Sequence, residues 1–173
     1  MENKGYLILA QNNSDTNYIR LAYALALSIK NTQSTINNVT LATSNLDIPK
    51  RFKSGFDNIV GIPWKDHALD STWKIENKWK YYYMTPYEET VVLDADMLFT
   101  SDISFWWDVL NKKEICLVDK PRTYKSEVIK SDAYRKTFTS NNLPNVYTTF
   151  MYFKKTIRRC CQKNITCLKT FLP

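Results

Sequence analysis

The sequence predicts an α/β fold in which a mostly parallel sheet is flanked by helices within a single domain. Short apolar runs, of the kind that a sheet covered on both faces requires, alternate along the chain with segments of helical spacing. The chain has 173 residues, 44% of them hydrophobic, and is therefore long enough to bury one core. No internal repeat or low-complexity linker divides residues 1–153, so we expect one domain there.

The first half of the chain contains three predicted strands and three predicted helices. The strands are the runs YLILA, VTLAT and NIVGIP, at residues 6–10, 39–43 and 58–63. The helices are predicted over residues 18–29, 49–56 and 71–84, the second of them as a short helix or turn. Asp15 or Thr16 is available as the N-cap of the first helix, and Pro86 ends the third.

The second half begins with the run TVVL at residues 90–93, where β-branched residues dominate and carboxylates follow at once. Further strands are predicted at residues 114–118 and 146–153, and helices at residues 103–110 and 126–138. Sheets of this type bind ligands beyond the carboxyl ends of their strands. We therefore look for a site among the polar residues that follow the strands.

The net charge of +7 is concentrated at the C-terminal end of the chain. Residues 154–173 hold six of the 24 basic residues and none of the 17 acidic ones, which leaves residues 1–153 with a net charge of only +1. We therefore expect no nucleic-acid partner. No run is long enough to span a bilayer and no signal-peptide pattern precedes the first strand, so we expect a cytoplasmic protein without a membrane span.

Three of the four cysteines lie in the same C-terminal segment. Cys160, Cys161 and Cys167 match no zinc-binding spacing, and we predict no role for them. Cys116 lies within an apolar stretch and is expected to be a buried, inert thiol. Residues 154–173 are therefore treated as a basic, cysteine-containing tail without an assigned role, separate from the domain at residues 1–153.

The motif Asp94-Ala95-Asp96 follows the strand at residues 90–93 directly, and an apolar triplet follows it. Two carboxylates at the edge of an apolar core are costly to ionise unless a cation neutralises them. Their oxygen atoms suit Mg²⁺ or Mn²⁺, which can also bridge a diphosphate and stabilise it as a leaving group. An extended backbone would direct the two side chains to opposite faces, whereas a turn would let both face one ion. The alternative is that Asp94 caps a turn and Asp96 is solvated.

The motif lies within a segment, residues 77–110, that reads NKWKYYYMTPYEETVVLDADMLFTSDISFWWDVL. This segment resembles the core of glycosyltransferase family 8, the glycogenin and galactosyltransferase type, which has the GT-A (Rossmann-like) fold. The positions that match the family pattern are Lys78, Asp94, Asp96, Asp102 and Ile103. The resemblance implies that Asp94 and Asp96 bind manganese or magnesium and the diphosphate, and that Lys78 is a cation near the phosphates or the sugar. Lys80 cannot share the helical face of Lys78, so we expect only one of the two to point inward.

The resemblance extends to the amino-terminal strand, loop and helix, and covers residues 6–153 in all. In the family this loop and a tyrosine hold the nucleoside; Tyr18 falls on the position of the tyrosine, and Gln11 and Asn12 lie in the loop. It implies a nucleoside diphosphate sugar, a UDP-sugar first, as the donor and a hydroxyl group as the acceptor. The alternatives are that Tyr18 is a partly buried helix residue and that Gln11 and Asn12 are ordinary loop residues.

The chain departs from the family toward its C-terminal end. Residues 147–150 are YTTF where the family has a motif of small residues, and the later histidine motif that completes the metal site is absent. The single histidine, His67, lies beside Asp66 in a loop and is interpreted as a surface residue. We therefore predict a GT-A-like domain that is incomplete at its C-terminal end, with a frameshift or truncation near Thr156 as one explanation.

The sequence thus predicts a metal-dependent glycosyltransferase that moves a hexose from a nucleoside diphosphate sugar to an acceptor hydroxyl, with no residue identified as nucleophile or base. One alternative is a truncated or degenerate domain that binds a nucleotide or sugar without turnover. Another is a haloacid-dehalogenase-type phosphatase, although that class carries its Asp-x-Asp motif near the chain start. A third, a basic RNA-binding protein, rests on the aromatic residues interleaved with lysines at residues 73–83 and lacks a nucleic-acid motif.

Overall fold

The computed structural model of the chain describes residues 3–66, 68, 76–119, 122, 125–127, 140–144 and 146–155. The strands are β1 (Lys4–Leu9), β2 (Val39–Thr43), β3 (Asn58–Gly61), β4 (Glu89–Asp94), β5 (Ile115–Asp119) and β6 (Val146–Lys154). The helices are α1 (Tyr18–Thr32), α2 (Lys50–Lys53), α3 (Tyr81–Met84) and α4 (Trp106–Leu110), with a 3-10 turn at Lys78–Lys80. No helix among these residues has both the length and the apolar character needed to cross a bilayer.

The six strands form one sheet in the order β3-β2-β1-β4-β6-β5. The first four strands in the chain are parallel, whereas β6 is antiparallel to β4 and β5 is antiparallel to β6. The prediction of a mostly parallel sheet is confirmed. The chain moves outward from β1 to β3 and then returns to place β4 on the other side of β1. The carboxyl ends of β1 and β4 therefore flank the point where the direction of winding reverses, which is where open α/β sheets bind ligands.

The central strands are buried on both faces, which explains their unbroken apolar runs. In β1, Tyr6 and Ile8 pack into the core that α1 covers, and Leu7 packs into the core that α3 covers. The same alternation holds in β4, where Val91 lies on the first face and Val92 on the second. Apolar side chains therefore cover both faces of β4 up to Leu93. The next side chain, Asp94, is polar and lies at the carboxyl end of the strand.

Helix α1 begins at Tyr18, as the sequence predicts, but its N-cap differs from the predicted residues. The N-cap is Asn17, whose side chain accepts a hydrogen bond from the Arg20 amide, so the assignment to Asp15 or Thr16 was wrong. The side-chain oxygen of Asn13 accepts hydrogen bonds from the amides of both residues, and these bonds hold them in a turn. These local side-chain bonds therefore keep both residues from capping the helix.

The helix predicted over residues 71–84 is largely replaced by shorter elements. Residues 71–75 lie outside the described part of the chain, and residues 76–77 form a turn ahead of the 3-10 turn and α3. Asn77 donates hydrogen bonds from its side chain to Gln11 and Asp66, which fixes the chain at this point. The end of the helix was predicted correctly, since Thr85 is extended, as a residue that precedes proline should be.

Further predicted elements are confirmed with shorter or shifted bounds. Helix α2 has only four residues, and α4 begins at Trp106 rather than at residue 103. Most of the helix predicted at residues 126–138, and the tail beyond residue 155, fall outside the described residues. Cys116 is only partly buried, which corrects the prediction of a buried thiol, because β5 alternates exposed and half-buried residues.

One close contact beneath the sheet requires glycine. A Cβ atom built on Gly5 would lie 2.4–2.6 Å from three ring atoms of Tyr87, well inside van der Waals contact. The ring cannot move aside easily, because Tyr87 is fully buried and its hydroxyl lies 2.9 Å from the Thr40 hydroxyl. The backbone conformation at Gly5 does not call for glycine, since no glycine in the described residues has a positive φ.

Replacing Gly5→Ala should therefore lower the free energy of unfolding by about 1–3 kcal/mol, the usual cost of overpacking a tight core. Gly61→Ala is the matched control, because the nearest atom to its added Cβ is the flexible Leu46 Cδ1 at 3.9 Å. We expect the control to change stability by less than about 1 kcal/mol. Urea unfolding of the three proteins measures both values, and equal stability of the two variants would contradict the proposed contact.

Candidate functional site

The Asp-Ala-Asp motif forms a turn at the carboxyl end of β4. Asp94 is the last residue of the strand, and the Met97 amide donates a hydrogen bond of 3.4 Å to its carbonyl oxygen. Ala95 is buried and Asp96 is exposed. Of the two backbone geometries that the sequence left open, the turn is the one observed.

An ion pair joins this motif to the 3-10 turn. The Lys78 ammonium lies 2.8 Å from Asp94 Oδ1, and both side chains are about three-quarters buried, at 23% and 24% exposure. The same ammonium donates a second bond of 3.3 Å to the Thr148 hydroxyl on β6. Charged hydrogen bonds of this kind are stronger than neutral ones. Three separate elements thus meet at the carboxyl end of β4.

Thr148 lies just beyond the last pair of β4 with β6, Leu93 with Phe150, in a part of β6 that pairs irregularly with β5. Leu117 of β5 pairs with Met151, but the next residue, Val118, pairs with Tyr147, so three extra residues of β6 lie between the two pairs. Such bulges bend a strand and redirect its side chains. These extra residues, 148–150, belong to the stretch YTTF that departs from the family's motif of small residues.

The segment that follows the motif is tied to α1 by two polar side chains that the sequence analysis missed. The Ser28 hydroxyl accepts a hydrogen bond of 3.0 Å from the Phe99 amide. Gln33, only 3% exposed, accepts a bond from the Ile103 amide and donates one to the Ser101 carbonyl. A buried amide needs such partners, but nothing in the sequence indicates that Gln33 is buried.

Asp102 lies in the same segment but has a local role. Its carboxylate accepts a hydrogen bond of 2.8 Å from the Ser104 amide, within the turn that leads to α4. Ile103 contributes its backbone amide to the contact with Gln33. The two residues that match the family's Asp-Ile pair therefore shape the loop after the motif.

Gln11 and Asn12, the predicted nucleoside-binding loop residues, both make hydrogen bonds within the protein. Gln11 is buried; its Nε2 donates to Asp66 Oδ2 at 2.7 Å, and its Oε1 accepts from Asn77 at 2.9 Å. Asn12 Oδ1 accepts from the Ile19 amide at 3.1 Å. Tyr18 is the first residue of α1 and is half-buried against the core. These contacts agree with structural roles for the three residues and leave their roles toward a ligand as predictions.

Gln11, Asp66 and Asn77 form a polar cluster at the base of the 3-10 turn, which sequence reasoning did not find. Asp66 Oδ1 accepts hydrogen bonds from Asn77 at 2.7 Å and from the Ala68 amide at 2.9 Å. Burial opposes ionisation of Asp66, but these bonds together lower the pKa of its carboxyl below the usual value. Since Asn77 precedes Lys78 directly, the cluster fixes the origin of the lysine side chain.

The two lysines of the 3-10 turn point in different directions, as helical geometry predicts. Lys78 reaches Asp94, whereas Lys80 is fully buried and donates to the Lys65 carbonyl. With three residues per turn, side chains two residues apart in this element also diverge by about 120°. Both lysines are therefore engaged inside the fold, in contrast to the expectation that only one would point inward.

The donor atoms at the motif fit a divalent cation that is shared with a ligand. Mg²⁺ typically takes one or two protein carboxylates and completes its shell with phosphate oxygens and water. Asp96 is exposed and makes no hydrogen bond or ion pair with any described residue, and one oxygen of Asp94 is not used by Lys78. Within the described part of the chain, no group of three or more His, Cys, Asp or Glu is arranged to hold a metal. The residues thus fit an open site rather than one closed by protein ligands.

The structure is similar to three solved glycosyltransferases. Mouse xyloside xylosyltransferase 1 in its apo form has a TM-score of 0.56 at 10% identity, over 92% of this chain and 69% of that one. The bifunctional glycosyltransferase WbbM has a TM-score of 0.56 at 14% identity, over 94% and 33%. The glycosyltransferase GlyE of Streptococcus pneumoniae TIGR4 has a TM-score of 0.52 at 13% identity, over 100% and 41%.

At these identities the similarity establishes the fold alone. The chain has a GT-A-like fold, with a mostly parallel six-stranded sheet and flanking helices in a single domain. It spans less than half the length of two of these three proteins. No protein-family model matches the sequence, and neither does any curated protein. The assignment to glycosyltransferase family 8 therefore stays a prediction.

The polar cluster predicts how the stability of the protein depends on pH. Because the folded-state pKa of Asp66 is lowered, its carboxylate stabilises the fold fully above the unfolded value of about 3.9, and this stabilisation is lost as the pH falls through the folded value. Asp66→Asn should therefore be less stable than the unmodified protein near about pH 6, and the difference should shrink near about pH 3.

Urea unfolding at the two pH values measures this change. Asp108→Asn, at an exposed position on α4, is the control. Its stability should differ little from that of the unmodified protein, and by a similar amount at both pH values. If Asp66→Asn is less stable than the unmodified protein by the same amount at both pH values, the carboxylate charge does not support the cluster.

Proposed function

We propose that this chain is the nucleotide-sugar-binding domain of a metal-dependent glycosyltransferase of family 8 type. It would transfer a hexose from a nucleoside diphosphate sugar, a UDP-sugar first, to an acceptor hydroxyl. The observation that carries the proposal is the meeting of Lys78, Asp94 and Thr148 at the carboxyl end of β4, with Asp96 exposed on the adjoining turn. This is the place where the winding of the sheet reverses.

Two further observations support the proposal. The three similar structures named above are glycosyltransferases by their descriptions. The chemistry of the site also suits a diphosphate, because it combines a cation on a 3-10 turn with carboxylates that can share a divalent metal with phosphate oxygens. A cytoplasmic location, predicted from the sequence, is part of the same proposal.

The residues of the chain would bind and orient the donor. Asp94 and Asp96 would hold Mn²⁺ or Mg²⁺, which when bound neutralises the charge that develops on the departing diphosphate. Lys78, released from Asp94, would place its ammonium on a phosphate oxygen, and the Thr148 hydroxyl beside it would offer a further hydrogen bond. Gln33 and Ser28 would keep the loop after the motif in place. In the transfer, the bond from the anomeric carbon to the diphosphate oxygen would break and the bond to the acceptor oxygen would form, while the acceptor hydroxyl loses its proton to solvent and the nucleoside diphosphate leaves.

A domain that binds a nucleotide without turnover is the second candidate. It is favoured by the ion pair of Lys78 with Asp94, which closes part of the site, and by the small number of carboxylates beside the motif in the described part of the chain. Assays for sugar transfer and for donor hydrolysis separate the two, since only the enzyme would release nucleoside diphosphate from a UDP-sugar.

The phosphatase and RNA-binding hypotheses receive no support from the contacts of the described residues. The motif stands at the end of the fourth strand, whereas the phosphatase class has it near the chain start. An RNA-binding surface would need lysines that face solvent beside the aromatic residues. Lys80 is buried and Lys78 is held by Asp94, so neither of these two lysines provides one, and the third lysine of that hypothesis, Lys74, lies outside the described residues.

Calorimetric titration of UDP, with GDP for comparison, tests the binding site directly. We expect UDP to bind in the presence of Mn²⁺ and the double variant Asp94→Asn/Asp96→Asn to lose at least about tenfold in affinity, or about 1.4 kcal/mol. Asp108→Asn on α4 is the control and should bind as the unmodified protein does. Binding that needs neither the metal nor the two carboxylates would contradict the proposal.

Lys78→Met should change two affinities in opposite directions. Without nucleotide, removal of the ammonium 2.8 Å from Asp94 should strengthen Mn²⁺ binding, because like charges no longer compete for the carboxylate. With Mn²⁺ present, loss of the same charge should weaken UDP binding by about three- to tenfold. Lys53→Met, an exposed position on α2, is the control for a change in net charge. If the affinities for Mn²⁺ and for UDP both fall or both rise, a direct role for Lys78 at the diphosphate is excluded.

A further inference from the structure

Three exposed aromatic rings form a platform beside the candidate site. Trp64 and Trp79 stack with their planes 4° apart and their centroids 5.6 Å apart, and Tyr83 meets Trp64 edge-on at 4.6 Å. Their exposed fractions are 61%, 57% and 52%, although residues of this size are usually well covered. Contiguous exposed aromatic surface of this kind commonly marks a binding site.

The backbone that presents Trp64 is strained. Trp64 has φ of 63° and Lys65 has φ of 142°, values that bulky residues rarely adopt. Such conformations persist only where the surrounding structure enforces them, and they cluster at functional sites. Here the fully buried Lys80 ammonium bonds the Lys65 carbonyl, and Gln11 and Asn77 bond the next residue, Asp66.

These contacts keep the Trp64 indole exposed to solvent, whereas the hydrophobic effect alone would favour its burial. Lys80 also lies 5.4 Å from the centre of the Trp79 ring, so the buried ammonium supports the second ring of the platform as well. The same buried side chain thus fixes both halves of the stack. A fold that enforces strain to expose a stacked ring pair has organised that surface in advance for a ligand.

The platform and the candidate site share one structural element. Trp79 follows Lys78 in the 3-10 turn, so one residue points to Asp94 and the next to the platform. Trp64 lies three residues beyond β3, at the carboxyl edge of the parallel strands, where β4 also ends. The two surfaces therefore lie on the same edge of the sheet.

We propose that this platform binds a pyranose ring of a saccharide, which stacks its apolar C–H face on the exposed indoles. The axial C–H groups of such a ring carry slight positive charge and complement the negative face of an aromatic ring. Among the described residues the platform consists of three rings, a patch closer in size to one or two sugar rings than to the roughly 800 Å² that each partner of a stable protein interface buries. That the saccharide is the acceptor of sugar transfer rests on the proposed function, whereas saccharide binding itself does not.

The test uses the indole N–H signals of the five tryptophans in ¹⁵N-labelled protein, assigned by single Trp→Phe variants. The probes are maltotriose, cellotriose, lactose and chitotriose, each added to about 10 mM, enough to saturate a site with a dissociation constant of about 1 mM. The titrations are made without metal or nucleotide. We expect at least one probe to shift the Trp64 and Trp79 signals along one common binding curve.

Two internal controls accompany the titration. Trp106 on α4 is 43% exposed and should not shift, and the buried Trp107 signal reports whether each variant is folded. Trp64→Ala and Trp79→Ala should each weaken saccharide binding at least about tenfold. Trp106→Ala should leave it within about twofold. UDP titration with Mn²⁺ should give the same affinity in Trp64→Ala as in the unmodified protein.

The outcomes separate this inference from the proposed function. If UDP binds but none of the four saccharides moves the Trp64 and Trp79 signals, the inference is overturned and the proposed function stands. If a saccharide binds the platform but no nucleotide binds, the inference holds and the proposed function fails. If the Trp106 signal shifts as much as those of Trp64 and Trp79, the saccharide contact is nonspecific and the inference is overturned. The inference is also overturned if the shifts depend on protein concentration and not on saccharide, because that indicates self-association.

Discussion

Burial of β4 on both faces determines where this chain can place charged groups. Helices cover the two sides of the strand, so every residue from Thr90 to Leu93 must be apolar or fully hydrogen-bonded, and a carboxylate can follow them only where the strand leaves the core. Asp94 stands at that point. The ion pair with Lys78 compensates for its partial burial, and it draws the 3-10 turn and β6 to the same place.

The sequence predicted the sheet well because a buried parallel strand has few acceptable compositions. The runs that became β1, β2 and β4 are mostly apolar, those of β2 and β4 are rich in β-branched residues, and each lies within a residue or two of its predicted bounds. The segment before β4 was predicted poorly. Its aromatic and lysine residues fit a long helix by spacing, but the hydrogen bonds of Asn77 to Gln11 and Asp66 join positions 66 and 11 residues apart. Tertiary contacts of this range leave no periodic signal.

The residues of the candidate site were likewise predicted only in part. Asp94 and Asp96 were predicted because two carboxylates follow a buried strand between apolar segments, and Lys78 because its position matches the family pattern. Thr148 could not be predicted, since its contact with Lys78 depends on the antiparallel pairing of β6 with β4 and joins residues 70 positions apart. Nor could Gln33, Ser28 or Asp66, which act by holding other segments in position. Residues that support a site carry ordinary polar side chains, and only the fold reveals what they hold.

The antiparallel pairing of β6 with β4 also has a consequence for the synthesis of the chain. When the end of β4 leaves the ribosome, the first residue of its partner is still 52 residues away, counted from Asp94 to Val146. At about 5–20 residues per second, the edge of β4 stays without that partner for roughly 3–10 s. During this interval an apolar strand edge is open to other chains. The nascent protein must therefore protect β4 before Thr148 can complete the contact with Lys78, so the interval most exposed to misassembly comes just before the site forms.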